Sequence, residues 1–292
     1  MNRAPILRLG AESAPSQTGP VQRLGRNTDG YHGETIDITG VLVEFRELAA
    51  LRGFSLRELP VTDGCCLLTA HRPATAGTVE PRRLYLSAGI HGDEPAGPLA
   101  CIQLLRENAL PPDADLWICP CLNPRGFPIN SRTTPEGVDL NRDYNHELSH
   151  EVRCHIHWLQ ELPRFDLTLL LHEDWESNGF YLYELNPDRQ EPTTLAAEII
   201  REVSEVCPIE TALMIDGRAS NGAGVIHPPT DPASRPDWPE AFWLFQYRSR
   251  RNFTVEAPSD FPLEVRVQAL VRAVHTAFRG AQRASTQAPP PA

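Results

Sequence analysis

The segment SAGIHGDEPAG sets His91 and Glu94 in the spacing H-x-x-E, and the run LLLHED places His172 at the end of the most apolar stretch of the chain. Two imidazoles and a carboxylate, with one coordination position left for water, are what a hydrolytic zinc site needs. The H-x-x-E spacing alone carries little weight, because this composition produces it by chance. Its position carries more. His91 lies where a buried run of strand length gives way to a helical pattern, and Gly92 and Pro95 suit a tight turn there.

A second pattern competes with it. His146-Glu147-Leu148-Ser149-His150 has the spacing H-E-x-x-H, which on one helix would turn both imidazoles to the same side with Glu147 as the base. The motif follows the polar NRDYN at a helix entrance, and the position six residues past His150, where an extended motif has a third histidine, is Ile156. Glu173 is the one carboxylate placed to serve as a third ligand. The ordinary reading is a polar, solvated first turn in which Glu147 favours the helix N-terminus, and the zinc is expected with His91.

These residues need a scaffold, and the patterning supplies one. Arg83–Ile90 reads as a buried strand, followed by a helix from about Pro95 whose Leu99, Ile102 and Leu105 recur at helical spacing. Strands are expected at Asp115–Leu122, Phe165–Leu171, Gly179–Glu184 and Asn252–Val255, and helices at Glu147–Leu162 and Thr194–Val206. A closing helix carries a stripe of Leu263, Val267, Leu270, Val271, Val274 and Phe278. The alternation predicts an α/β three-layer sandwich, with a central mixed, mostly parallel sheet and helices on both faces. In such sheets, sites gather at the C-terminal ends of strands.

Composition narrows the chemistry. All 27 basic residues are arginine, so no lysine nucleophile, Schiff base or P-loop lysine exists. A net charge of -11 and no basic stripe argue against nucleic acid as a partner. Seven scattered cysteines without a CxxC pair read as reduced core residues. With no run of membrane-spanning length and no apolar leader, no membrane association and a cytoplasmic location are expected. Residues 1–30, rich in Pro, Gly, Ser and Gln, are expected to form a flexible or surface-laid arm, 31–280 a single catalytic domain, and 281–292 a disordered tail.

HGDE, then NPRGF at 123–127, then Arg132, then GVDLNR at 137–142, then a strand ending in His172, then TVEAP near the C-terminus: this order resembles the zinc metallocarboxypeptidase family. The compact form is similar to the bacterial murein peptide amidases and, more distantly, to the succinylglutamate desuccinylase and aspartoacylase branch. The resemblance covers about residues 80–275. It implies a zinc carboxypeptidase-like fold, one Zn2+ ion held by His91, Glu94 and His172, and Asp139 orienting the first histidine. It implies Asn141 and Arg142 as the pair that grips a substrate carboxylate, for which a planar guanidinium is suited. Arg132 then stabilises the oxyanion and Glu256 is the general base. Two departures stand out: Arg125 replaces an acidic residue found in many relatives, and no secure match exists for the family's substrate-capping tyrosine, Tyr247 being nearest and readable as a strand residue. The segment Asp216–Pro239, rich in Gly and Pro, is expected to form specificity-setting rim loops.

The reading that follows is a zinc-dependent carboxypeptidase or peptide amidase acting on a short peptide. The alternatives are an N-acyl amino acid deacylase using the same residues, and a non-catalytic carboxylate-binding protein. The deacylase relatives carry a further β-rich domain after the general base, whereas 36 residues follow Glu256 here, so the peptidase is preferred.

Overall fold

The computed structural model describes residues 21–62, 64–186 and 194–286. Their elements run α1 (Ile38–Leu51), β1 (Ser55–Thr62), β2 (Cys65–Arg72), β3 (Arg82–Ala88), α2 (Ala96–Glu107), β4 (Ala114–Cys119), α3 (His150–Glu161), β5 (Leu167–Asp174), β6 (Tyr181–Leu185), α4 (Thr194–Ser204), β7 (Met214–Ile215), β8 (Arg218–Ala219), β9 (Val225–Ile226), α5 (Glu240–Tyr247), β10 (Asn252–Pro258) and α6 (Leu263–Thr286).

Eight strands form one mixed sheet in the order β1-β2-β4-β3-β5-β10-β6-β9. The centre, β4-β3-β5-β10, is parallel, and antiparallel pairs join it to the flanking strands at β2 and β6. Both faces of those central strands are covered, which is why they read as continuous apolar runs with no wet side. The period of two still sorts their side chains. Leu84, Leu86, Leu169, Leu171, Phe253 and Val255 pack under α1, α2, α4 and α6. Tyr85 and Leu170 turn to the other face, where Val152, Ile156 and Leu159 of α3 and Phe242 and Leu244 of α5 cover them. Those two covered faces make the three layers.

The expected strands and helices stand within a few residues of the predicted bounds, with three differences. The chain between Asp143 and His150 is not helical. Glu147 has φ +53°, and α3 starts at His150, capped by Ser149 Oγ accepting from Val152 N–H at 3.2 Å. The Asp143 carboxylate holds this corner by accepting from the Leu148 and Ser149 amides at 2.9 and 2.8 Å. Tyr247 is not a strand residue but the last residue of α5, packed against Trp238 and Trp243. Finally, α6 does not stop at residue 280. Its stripe continues through Ala277, Phe278 and Ala281 onto the core, and the helix runs to Thr286.

Residues 1–20 of the expected arm and 287–292 of the expected tail lie outside the described residues. From Arg23 the chain is tied to Asp260: Leu24 N–H donates to its carbonyl at 2.7 Å, and the Gly25 and Arg26 amides donate to its carboxylate. Among the described residues no helix is long and apolar enough to cross a membrane.

Candidate metal centre and substrate cavity

The C-terminal ends of the parallel strands open into a cavity of about 650 Å³. His91 enters it on the loop after β3. That loop is clamped: Gly92 N–H donates to Ser131 O at 2.9 Å, and a Cβ on Gly92 would lie 2.2 Å from the Gly126 carbonyl carbon. No other residue fits that contact. The NPRGF turn that presses on it is built by Asn123, fully buried, whose Oδ1 accepts from Gly126 N–H at 2.9 Å.

His172 and Glu173 leave β5 on opposite faces. His172 follows Thr168 and Leu170 toward the cavity, 3.1 Å by its Nδ1 from Glu94 Oε2. Glu173 follows Leu171 to the helical face, where it accepts from Ala96 N–H at 2.6 Å and from Arg266 Nη1 at 2.5 Å. Arg266 and Glu173 side chains are both fully enclosed. Glu173 is thereby engaged in tying α2 to α6, and His146 lies exposed against Asp237 at 3.0 Å. The H-E-x-x-H residues therefore form no cluster with Glu173.

His91, Glu94 and His172 do form one. All three are buried, and they offer ligand atoms within 4.8 Å of one another. His91 Nδ1 stands 2.5 Å from Glu94 Oε1, and Asp139 Oδ1 stands 3.4 Å from His91 Nε2. Glu94 Oε2 is enclosed, and its one close polar neighbour among the described residues is the His172 ring nitrogen at 3.1 Å, outside good hydrogen-bond geometry. Burial pushes the Glu94 carboxyl up, but the two imidazoles outweigh it and hold the group below its ordinary range. A buried carboxylate facing the ring nitrogens of two buried imidazoles fits a divalent ion with mixed nitrogen and oxygen coordination, zinc among them. Asp139 then sits where it can fix the tautomer of His91.

Arg132 lies beside this cluster, its Nη1 3.3 Å from His91 Nδ1 and 3.8 Å from Glu94 Oε1, its Nε donating to Asp139 Oδ2 at 3.0 Å. Asp139 thus touches both His91 and Arg132. Glu256 is the register partner of His172 in the parallel pair of β10 with β5, so both side chains leave the sheet toward the cavity. Burial, and then the charges of Glu94 and Asp174, push its carboxyl well above the ordinary value.

Asn141 and Arg142 occupy a single 3-10 turn, Leu140–Arg142, capped by Asp139 accepting from Asn141 N–H at 2.9 Å. Asn141 Oδ1 accepts from the Glu240 amide at 3.0 Å, which leaves the Nδ2 end for a ligand. Arg142 is exposed at the cavity edge and donates to Asn141 O at 2.7 Å. Arg125, by contrast, does not line the cavity; Glu136 and Glu151 neutralise it.

Several lining residues escape a reading of motifs. Tyr181 and Tyr183, two apart on β6 and so on one face, donate to Asp174 at 2.9 Å and Asp216 at 2.6 Å. Arg218 and Arg235 come from the Gly- and Pro-rich segment before α5. The alternation in GFYLYE was the available signal for the tyrosines; nothing local in the sequence marks the arginines.

Residues 80–217 match the model of the succinylglutamate desuccinylase/aspartoacylase catalytic domain. The chain is 30% identical over 151 residues to carboxypeptidase SOL1 of Arabidopsis thaliana, a match covering 42% of this chain and 27% of that relative's length. Among solved structures, a presumed metallopeptidase from Shewanella denitrificans superposes with a TM-score of 0.73 at 22% identity, over 87% of this chain and 98% of the other. A metallo-carboxypeptidase from Burkholderia cenocepacia gives 0.62 at 16% identity, over 83% and 68%. One from Pseudomonas aeruginosa, in complex with (2-guanidinoethylmercapto)succinic acid, gives 0.58 at 18%, over 82% and 68%.

Proposed function

We propose that this chain, zinc-carboxypeptidase-like and of the succinylglutamate desuccinylase/aspartoacylase superfamily, is a zinc-dependent carboxypeptidase that cleaves the amide bond next to the free carboxylate of a short peptide. The observation that carries this reading is one wall of the cavity. It sets His91, Glu94 and His172 together, with Glu256 one strand from His172 and Arg132 3.8 Å from Glu94.

His91, Glu94 and His172 would hold the ion. Zinc there supplies a Lewis acid that brings water near neutral acidity and polarises the scissile carbonyl. Arg142, with the free amide end of Asn141, receives the terminal carboxylate through charge-assisted hydrogen bonds and so sets the scissile amide over the ligand cluster. Glu256 takes the proton of the attacking water and returns it to the leaving amine, a role that suits a carboxyl raised by its surroundings. Arg132 donates to the developing oxyanion, with Asp139 keeping the guanidinium in place.

The test is turnover by zinc-loaded protein of peptides with free or amidated C-termini, alongside N-acyl amino acids. Free peptides should be cleaved and amidated ones not. Glu256→Gln should lower kcat by about 10²- to 10⁴-fold with zinc retained; unchanged turnover would overturn the assignment of Glu256. A second reading, an N-acyl amino acid deacylase, draws on the match over residues 80–217. It would be preferred if only the N-acyl amino acids are hydrolysed.

A further inference from the structure

We propose that Glu173, Arg266 and Glu34 form a buried ionic bridge that holds the Glu94 and His172 loops together, so that residues 23–34 are a working part of the metal centre although none of them is a ligand. The inference rests on the zinc reading of that centre and adds three positioning residues to it.

Glu94 and His172 belong to different elements, one just before α2 and the other on β5. Two contacts set the spacing between them. Gly97 lets the first turn of α2 settle on the strand ends, since a Cβ there would lie 3.1 Å from Ala88 Cβ and 3.3 Å from Leu171 O. Glu173, the residue after His172, then accepts from the Ala96 N–H, two residues past Glu94, at 2.6 Å. The helix does not cap itself: Pro95 at its start makes no side-chain cap, its first turn holds no acid, and Glu94 is turned to the two imidazoles. A helix N-terminus favours a carboxylate, so β5 supplies the cap that α2 lacks.

Glu173 is itself held. Arg266 of α6 donates Nη1 to its Oε2 at 2.5 Å and Nη2 to Glu34, and the Arg266 and Glu173 side chains are both fully enclosed. A planar guanidinium bound at two points is fixed in direction, and a buried cation is tolerated only when it is paired. Of the three groups, Glu34 alone keeps contact with solvent. Its segment is pinned on the other side as well. Arg26 lies 3.5 Å from Glu34, and the Leu24, Gly25 and Arg26 amides bind Asp260 on the turn that follows β10, the strand of Glu256. Between those anchors Tyr31 reaches the cavity wall. Removing the Glu34 carboxylate frees one side of the Arg266 fork, and the loosening passes through Glu173 to the spacing of Glu94 and His172.

The experiment measures zinc affinity by chelator competition, without substrate, in wild type, Glu173→Gln, Glu34→Ala and Phe278→Leu, each at a temperature where circular dichroism shows it folded. Phe278 packs in the core from the same helix, about 18 Å beyond Arg266, and its variant loses stability without touching the bridge. Glu173→Gln should weaken zinc binding by about tenfold or more, and Glu34→Ala by about threefold or more, as the loss of outer supports of a metal site does. Phe278→Leu should bind as wild type does. Coupling is reciprocal, so zinc should slow amide hydrogen exchange in residues 23–34 of wild type and not of Glu34→Ala, a response that a merely structural segment would not give. Wild-type affinity in Glu173→Gln or Glu34→Ala, a loss in Phe278→Leu as large as theirs, or exchange in residues 23–34 that ignores zinc overturns the proposal. Should Glu173→Gln not fold, Glu34→Ala decides, because its change lies at the solvent end of the bridge. A wild type that takes up no zinc fails the zinc reading itself, and this inference with it.

Discussion

Replacing Glu240 with glutamine should change how stability depends on pH, because this carboxyl is neutral in the folded protein. Glu240 is buried at the start of α5, where Tyr85 Oη donates to Oε1 and Ser87 Oγ to Oε2, each at 3.0 Å. Burial pushes it up from 4.5 to about 8, with the two hydroxyls opposing. Tyr85 Oη also meets His155 Nε2 at 2.9 Å, and Tyr144 Oη meets Nδ1 at 2.7 Å. Burial pushes His155 down from 6.5 to about 3. One phenol therefore bridges a neutral acid and a neutral imidazole. Each shift is about 3.5 pH units, or about 5 kcal/mol at 1.36 kcal/mol per unit, and the signs are opposite.

Between pH 4.5 and 8 the folded state holds the Glu240 proton and the unfolded state gives it up. Its contribution is complete below 4.5 and is lost as the pH rises to 8. Between pH 3 and 6.5 the unfolded state protonates His155 and the folded state does not, so that contribution is complete above 6.5 and is lost toward 3. From 4.5 to 6.5 the two slopes, each about 1.4 kcal/mol per pH unit, cancel. From 6.5 to 8 the acid acts alone and removes about 2 kcal/mol. Urea denaturation of wild type and Glu240→Gln at intervals from pH 4.5 to 8.5 isolates the acid, since His155 is common to both. The variant should gain on wild type steadily with pH, by up to about 5 kcal/mol in total. Curves that stay parallel within about 0.5 kcal/mol would refute a neutral Glu240.

Two further outcomes test the site. His91→Ala and His172→Ala should lose zinc on dialysis while His146→Ala keeps one equivalent by elemental analysis; the reverse pattern would move the metal to the H-E-x-x-H residues. Gly92→Ala forces a Cβ to within 2.2 Å of Gly126, so the His91 loop must lift from the NPRGF turn. That should cost about 1–3 kcal/mol or more in denaturation and weaken zinc binding; unchanged zinc affinity would refute the clamp.

What could be read from the sequence, and what could not, follows from how each part is specified. The parallel strands announce themselves because both faces are buried. Within them, parity alone separates His172, on the face of Leu170, from Glu173, on the face of Leu171. By contrast β1 buries only Leu59 and Val61, and its four leading residues, Ser-Leu-Arg-Glu, are exposed, so an edge strand reads as loop. Helix α5 hides differently: Ala241, Phe242, Trp243 and Leu244 are all buried in succession, which erases the helical stripe. The same contrast governs the site. His91, Glu94, Asp139, Asn141 and Arg142 sit on two short loops whose geometry is dictated by nearby residues, so a motif can carry them. Arg218 and Arg235 reach the cavity only because a hairpin and the ring of Phe242 aim them there, and Phe242 is held by the core beneath α5. A short motif encodes what its own residues position. These two arginines are positioned by contacts distant in sequence, so the cluster of His91, Glu94 and His172 is legible in the sequence while the far lining of the cavity is not.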